Sequence, residues 1–240
     1  MVSVFRLSFS ALIGCSLSAS AALALTLPTT ENFEASNQNW KNSVSALTQN
    51  ATWINGGGPA GAADAFIESS FTTPSTGTPS ASQVVFRARD TVDSSNDAFF
   101  GNWINAGVTT IDFWIRHDAA TPLNLGLRLP TSAGFPAMLG RIPVAVQPNT
   151  WTHLTMAINN TNPDLLDETG PTHNNFNAVF SNVTYLQVFA DLSGQANSTV
   201  INFDLDKVSI VPEPSTWLMA AVGLPALGLA IRSRRRRLAA

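Results

Sequence analysis

Short runs of alternating apolar and polar residues dominate the middle of this 240-residue chain. Thr110–His117 sets Ile111, Phe113 and Ile115 on one side and Asp112, Trp114 and Arg116 on the other. Pro122–Leu129 sets Leu123, Leu125, Leu127 and Leu129 against Asn124, Gly126 and Arg128. Gln83–Ala88, Trp151–Ile158, Thr184–Leu192 and Ser198–Val211 alternate in the same way, and shorter candidates lie at Asn32–Ala35, Ala51–Asn55, Ala65–Phe71 and Ala98–Trp103. A period of two is the signature of a half-buried strand, and no long stretch has helical period. Gly56–Gly61 and Pro74–Ser82 read as loops. Asn160–Asn177 is the longest break, with one helical turn expected at Pro163–Glu168. No repeat recurs at a fixed period, which argues against a solenoid or propeller. About ten short strands between turn residues predict an all-β domain, a two-layer β-sandwich of the jelly-roll kind.

The first 24 residues break the pattern. Arg6 is followed by an apolar stretch from Leu7 to Leu17 and then by Ser18–Ala24, in which Ala22 and Ala24 satisfy the small-x-small rule for leader cleavage. Residues 1–24 therefore read as a signal peptide cut after Ala24. An uncleaved anchor and a lipoprotein route through Leu12-Ile13-Gly14-Cys15 are the competing readings.

The other end is more specific. Val211-Pro212-Glu213-Pro214 precedes an uncharged run over 215–231, and Arg232, Arg234, Arg235, Arg236 and Arg237 close the chain. Seventeen residues at ~1.5 Å each make a helix of about 25 Å, at the short end of what crosses a bilayer. The arginines fix its direction, since they stay cytoplasmic while everything before them is translocated. The order of tripeptide, apolar span and basic tail resembles the PEP-CTERM sorting signal of Gram-negative bacteria that make extracellular polysaccharide. The resemblance implies that an exosortase-type transpeptidase of the inner membrane processes the chain at Val211–Pro214, and that the product goes to the cell surface or extracellular matrix. A plain single-span anchor is the alternative. The chain thus divides into a leader (1–24), a β-sandwich ectodomain (25–210) and a sorting signal (211–237).

Composition sharpens this division. The chain carries 13 Lys+Arg and 16 Asp+Glu, a net −3, but residues 25–211 hold seven basic and fifteen acidic side chains, a net −8. That excludes a basic nucleic-acid binder. The single cysteine, Cys15, lies in the leader, so the ectodomain has no disulfide, thiolate nucleophile or zinc–thiolate site.

Candidate chemistry is sparse. If neighbouring strands pair in register, Arg87, Arg89, Asp112, Trp114, Arg116, Asn124, Arg128, Trp151, His153 and Gln187 share a surface. Trp114, Arg116, Asn124, Arg128 and Trp151 are its candidate sugar-binding residues, because a pyranose stacks on an indole while planar polar groups bond its hydroxyls. The plainer reading is a solvated face whose ion pairs are worth ~0–1 kcal/mol each. Asn32-Phe33-Glu34 together with Asp204–Ile210 is similar to carbohydrate-binding jelly rolls of the galactose-binding type. That resemblance implies a structural calcium held by Glu34 and Asp206, although Lys207 stands where the family often has a second acid. No catalytic residue is assigned: His117, His153 and His173 lack metal spacing, and no Gly-x-Ser-x-Gly elbow or laminarinase-like acidic strand is present. The expected function is a non-catalytic surface or matrix protein that binds extracellular polysaccharide. A ligand-free structural matrix protein and a sandwich-fold polysaccharide-degrading enzyme are the alternatives.

Overall fold

A computed structural model describes residues 25–43 and 47–212. Eleven strands and two short helices follow in the order β1 (Thr29–Glu31), β2 (Thr52–Ile54), β3 (Phe66–Thr72), β4 (Gln83–Arg89), α1 (Trp103–Ala106), β5 (Val108–His117), β6 (Leu123–Pro130), β7 (Ala137–Val146), β8 (Thr152–Ala157), β9 (Leu165–Asp167), α2 (Phe176–Phe180), β10 (Tyr185–Ala190) and β11 (Val200–Pro212). They form two antiparallel sheets. One runs β2-β3-β11-β5-β8, with β1 also on β11; the other runs β4-β10-β6-β7-β9. Without β1, β2 and β9, the orders β3-β11-β5-β8 and β4-β10-β6-β7 are those of an eight-stranded double Greek key, the jelly roll.

Alternation in the sequence becomes alternation in burial. Along β5, Ile111, Phe113 and Ile115 point between the sheets, while Asp112, Trp114 and Arg116 point out. Leu123, Leu125, Leu127 and Leu129 do the same on β6. Trp40 closes one end of the core edge-on to Phe33 and Phe99, at centroid distances of 5.6 and 6.2 Å. Its indole N–H donates to Ser95 Oγ at 2.8 Å, which satisfies the one polar atom that burying a tryptophan brings inside.

Three local expectations are corrected, and a further strand joins those expected. Ala137–Val146 is a full strand despite Pro143; β9 pairs only with Met138–Gly140, so the proline lies on the unpaired edge where its missing N–H costs nothing. Leu165–Asp167 is a strand and not a helical turn, because Leu165 and Asp167 are buried while Leu166 is not. Ala98–Trp103 is not a strand. It follows two 3₁₀ turns in which Asp93, Ser95, Asn96 and Asp97 take positive φ, and Asn102 then caps α1 by accepting from Asn105 N–H. Asn32–Ala35 is not a strand either: Phe33 has φ of 51°, and the first pairing lies just before it at Thr29–Glu31.

Among the described residues no helix is long and apolar enough to cross a membrane. The leader with Ala22 and Ala24, the span over 215–231, and Glu213, Pro214, Arg232, Arg234, Arg235, Arg236 and Arg237 lie outside the described residues.

Candidate functional site

The ten residues expected on one surface fall on two. Asp112, Trp114, Arg116, Trp151 and His153 belong to β5 and the segment of β8, whereas Arg87, Arg89, Asn124, Arg128 and Gln187 belong to β4, β6 and β10. The cause is the link between β5 and β6, which carries the chain from one sheet to the other instead of turning back as a hairpin. Trp114, Arg116 and Trp151 therefore cannot share a sugar with Asn124 and Arg128.

The outer face of the six-stranded sheet binds to itself. Arg116 Nε donates to Asp204 Oδ2 at 2.7 Å, and its guanidinium stacks over the rings of Trp151 and Phe66 at 4.8 and 5.3 Å. His153 lies against Trp114, with ring centroids 5.1 Å apart, and bonds Asp112 at 3.0 Å. The Trp151 indole donates to the carbonyl of Gly57 at 3.1 Å, so the glycine loop folds down onto the sheet.

Beneath that loop lies an acidic seam. β11 is bulged between Asp206 and Ser209, where Lys207 takes a φ of 49°, and the bulge falls between the stretches that pair with β3 and with β1. Lys207 Nζ donates to both oxygens of Asp64, at 2.9 and 3.1 Å, and stands 3.8 Å from Asp206. Burial raises the Asp64 pKa, but the Ala60 N–H and the Lys207 ammonium outweigh it and hold the group below its ordinary value. Asp206 is fully buried and neither of its oxygens has a hydrogen-bond partner. Burial pushes its pKa up to about 7, helped by the charges of Asp64 and Glu34 and opposed by Lys207. Burial likewise lifts Asp204 to about 6 against the pull of Arg116.

The two orphaned oxygens of Asp206 suit a hard cation such as calcium. Its neighbourhood does not. A metal there has to share the seam with the Lys207 ammonium, Glu34 is solvent-exposed, and among the described residues no three His, Cys, Asp or Glu side chains are arranged to hold an ion. The donor set fits a lysine better than a metal.

The outer face of the five-stranded sheet is built differently. Register puts Arg89 beside Tyr185 and aligns Arg87, Gln187, Arg128 and Leu139 in one row across four strands; Phe189, Gly126 and Arg141 form the next row. Arg128 is the anchor. It makes a two-pronged pair with Glu168, both contacts at 2.8 Å, and donates to Gln187 Oε1 at 3.1 Å and to the Gly134 carbonyl at 3.0 Å. Arg89 donates to the Ser132 carbonyl at 3.2 Å and stacks over Tyr185 at 4.5 Å. These bonds pin the β6–β7 hairpin, which presents Phe135 with 58% of its surface exposed and the Arg128 guanidinium 5.4 Å from its ring centre. Glu168 is held in turn by its neighbour Asp167, whose buried carboxylate accepts from Thr172 Oγ1 and from the N–H groups of Asn174 and Asn175. Phe135 and the pinned hairpin were not singled out in the sequence; the signal for them is an aromatic in a Gly-Pro turn.

His117, the one buried histidine, is structural. Its Nδ1 accepts from Ala119 N–H and its Nε2 bonds the Val146 carbonyl at 3.0 Å, while burial lowers its pKa.

At the chain's far end Val211 pairs with Thr110 and Pro212 with Val108, as the last two residues of β11. Residues 211–236 match the PEP-CTERM protein-sorting motif. The chain thus carries a sorting signal that implies export and processing by an exosortase, and this signal begins inside the final strand of the sandwich with no linker between them. None of the curated proteins matches the sequence. Among solved structures, the sandwich resembles the family 11 carbohydrate-binding module from Clostridium thermocellum in complex with a β-1,3-1,4-mixed-linked tetrasaccharide (12% identity, TM-score 0.43, 78% of this chain and 97% of that one). It also resembles the L4b domain of human laminin α-2 (12% identity, TM-score 0.43, 78% and 98%). Against the CBM22-1–GH10 modules of Clostridium thermocellum endo-1,4-β-D-xylanase 10B the match covers 78% of this chain but 28% of that one, at 11% identity and a TM-score of 0.45.

Proposed function

We propose that this chain is an exported surface or matrix protein, processed at its sorting signal by an exosortase-type transpeptidase of the inner membrane. Its β-sandwich binds extracellular polysaccharide on the outer face of the five-stranded sheet and catalyses nothing there. The observation that carries this reading is Phe135. It is a largely exposed ring on a hairpin pinned by Arg89 and Arg128, with the Arg128 guanidinium 5.4 Å from its centre and Tyr185 and Gln187 packed in the sheet behind. A rigid exposed ring beside planar donors is what stacking a pyranose and bonding its hydroxyls needs. A non-catalytic role is supported by the carboxylates. Asp204 and Asp206, pushed up to about 6 and about 7, are buried on the opposite sheet; on this face Glu168 is committed to Arg128, and Asp191 and Asp164 lie in separate depressions rather than facing each other. A glycosidase needs a carboxylic acid and a carboxylate facing one bond.

Affinity electrophoresis of the detergent-solubilised full chain through gels containing its host's extracellular polysaccharide tests the binding. Retardation is expected, abolished by Phe135→Ala and untouched by Trp114→Ala. No retardation, or the opposite pattern of variants, overturns the assignment of the face. Processing is read separately: Glu213→Ala or Pro214→Ala should leave an unprocessed, membrane-retained precursor, and normal size and location would sink that half of the proposal.

A further inference from the structure

We infer that the polymer bound on the five-stranded face is acidic, built from sugars that carry carboxylates (uronic acids), with Arg87, Arg89 and Arg141 as the residues that select it. This rests on the polysaccharide-binding reading above and names its ligand class.

The distribution of cations points to it. Residues 25–211 hold seven basic side chains against fifteen acidic ones, so carboxylate partners are plentiful. On the six-stranded sheet both cations have taken them: Arg116 with Asp204 and Lys207 with Asp64. The five-stranded face carries four arginines, and among the described residues only Arg128 is paired with a carboxylate. Arg87 donates to the Ser43 carbonyl at 3.3 Å, and its Nε is buried without a partner. Arg89 donates to one carbonyl, and Arg141 stands exposed with its guanidinium 6.0 Å from the Phe189 ring centre. A guanidinium has five N–H donors in a planar fork that matches a carboxylate two bonds at a time. Among the described residues none of these three guanidiniums has a carboxylate partner, on the face that also presents the exposed aromatic ring.

Their spacing suits a chain, not a single small ion. Arg87 and Arg89 are two residues apart on β4, about 7 Å, and Arg141 is three strands away, about 14 Å across the sheet. A polymer crossing the strands would meet Arg89 and Arg87 first, pass Gln187 and the neutralised Arg128, and reach Arg141 between two depressions of about 230 and 250 Å³. Asp191 lines the first of these and Asp164 the second. Those carboxylates, with Asp167 and Glu168 beside the second depression, balance the four arginines and leave the face without net charge on an acidic domain. That disfavours a dense polyanion such as nucleic acid, whose binding rests on summed charge. It favours a polymer whose well-spaced carboxylates are met one at a time by a fork.

The test compares polygalacturonate with the same polymer after its carboxyl groups are reduced to alcohols, alongside native and carboxyl-reduced host polysaccharide, in affinity electrophoresis of the full chain. The expected result is retardation by polygalacturonate and at least tenfold weaker retardation by the reduced polymer. Arg89→Gln and Arg87→Gln should each lose most of the difference between the two polymers, and Arg89→Lys should recover only part of it, because it restores charge without the fork. Equal retardation by native and reduced polymers overturns the acidic ligand while leaving polysaccharide binding intact. Equal retardation by polygalacturonate and single-stranded DNA overturns it too, as an unselective anion effect. Absence of retardation by every polymer, host polysaccharide included, overturns the binding reading itself.

Discussion

The two outer faces of the sandwich are made from similar materials, aromatic rings, arginines and carboxylates on alternating strand positions, yet they use them in opposite ways. On the six-stranded face Arg116 lies between Asp204 and two rings, His153 covers Trp114, and a loop is tied down by Lys207 and Trp151. On the five-stranded face the same groups hold a hairpin in place and leave Phe135 exposed and three guanidiniums without a carboxylate partner among the described residues. The difference teaches that a decorated face is not thereby a binding face. What distinguishes the two is whether the donors and rings already have partners. Perturbing the first face should therefore change stability and leave binding alone; perturbing the second should do the reverse.

The largest expected effect is of pH on the six-stranded face. Asp204 and Asp206 have folded-state pKa values raised to about 6 and about 7 from 3.8. A group raised in the folded state stabilises the fold fully below its unfolded pKa and loses that contribution as pH climbs to the folded value. Stability should therefore fall between about pH 4 and pH 7, with each group contributing up to about 1.4 kcal/mol per pH unit while the protonation difference is complete. Asp64 and Asp167 are shifted the other way and weaken the fold only below the ordinary carboxylate range, while His117, lowered by burial, works against the descent below its ordinary value of 6.5. Chemical denaturation across pH should show a maximum on the acid side of neutrality, and Asp206→Asn should flatten the descent. A stability that rises from pH 5 to pH 8 would mean the seam is not buried as described.

Next in size is Arg116→Ala, which leaves Asp204 buried without its cation. A loss of about 2–3 kcal/mol is expected at pH 8, shrinking at pH 5 where Asp204 takes up a proton instead. Polysaccharide retardation should not change. If it does, the six-stranded face shares in binding and the contrast between the faces breaks.

Smaller again is the effect of Lys207→Met. It strands Asp64, 8% exposed, beside Asp206, and about 1–2 kcal/mol is expected. The same experiment sharpens what holds the seam. With an ammonium in place, chelator and added calcium should leave the melting temperature of the unmodified protein where it is, whereas Lys207→Asp should make it calcium-dependent. A calcium-raised melting temperature in the unmodified protein would restore the metal to Glu34 and Asp206.

How much of this contrast the sequence held depends on the range over which each feature is decided. Strand positions on β5, β6, β8, β10 and β11 are local, a matter of which side chains alternate, and they were readable. So was the sorting signal, which is linear. The assignment of faces was not, because it depends on whether residues 118–122 turn back or cross between sheets, and turn residues alone do not settle that. Pairing was equally hidden. Asp204 and Arg116 are 88 residues apart and meet through register, so the alternation that exposed Arg116 on its strand could not show that it was already bonded. Phe135 is hidden for a related reason: β7, with Gly140 and Pro143 inside it, does not read as a strand, so the hairpin that carries Phe135 is not visible in the sequence.

Phe135→Ala is the smallest perturbation of the fold and the most informative about function. The ring is 58% exposed, so little apolar surface returns to water when it is removed, and Arg128 keeps Glu168, Gln187 and the Gly134 carbonyl as partners. Stability should move by no more than about 0.5 kcal/mol. Binding should fall at least tenfold, about 1.4 kcal/mol, since stacking against a rigid ring supplies apolar contact that no neighbouring side chain replaces. Trp114→Ala is the matched control on the other face: it removes a larger ring, one packed against His153, so it should cost more stability and no binding. A binding loss confined to Phe135→Ala and a stability loss confined to Trp114→Ala, measured on the same gels and the same melts, would make the division of labour between the sheets an experimental fact; parallel losses would dissolve it.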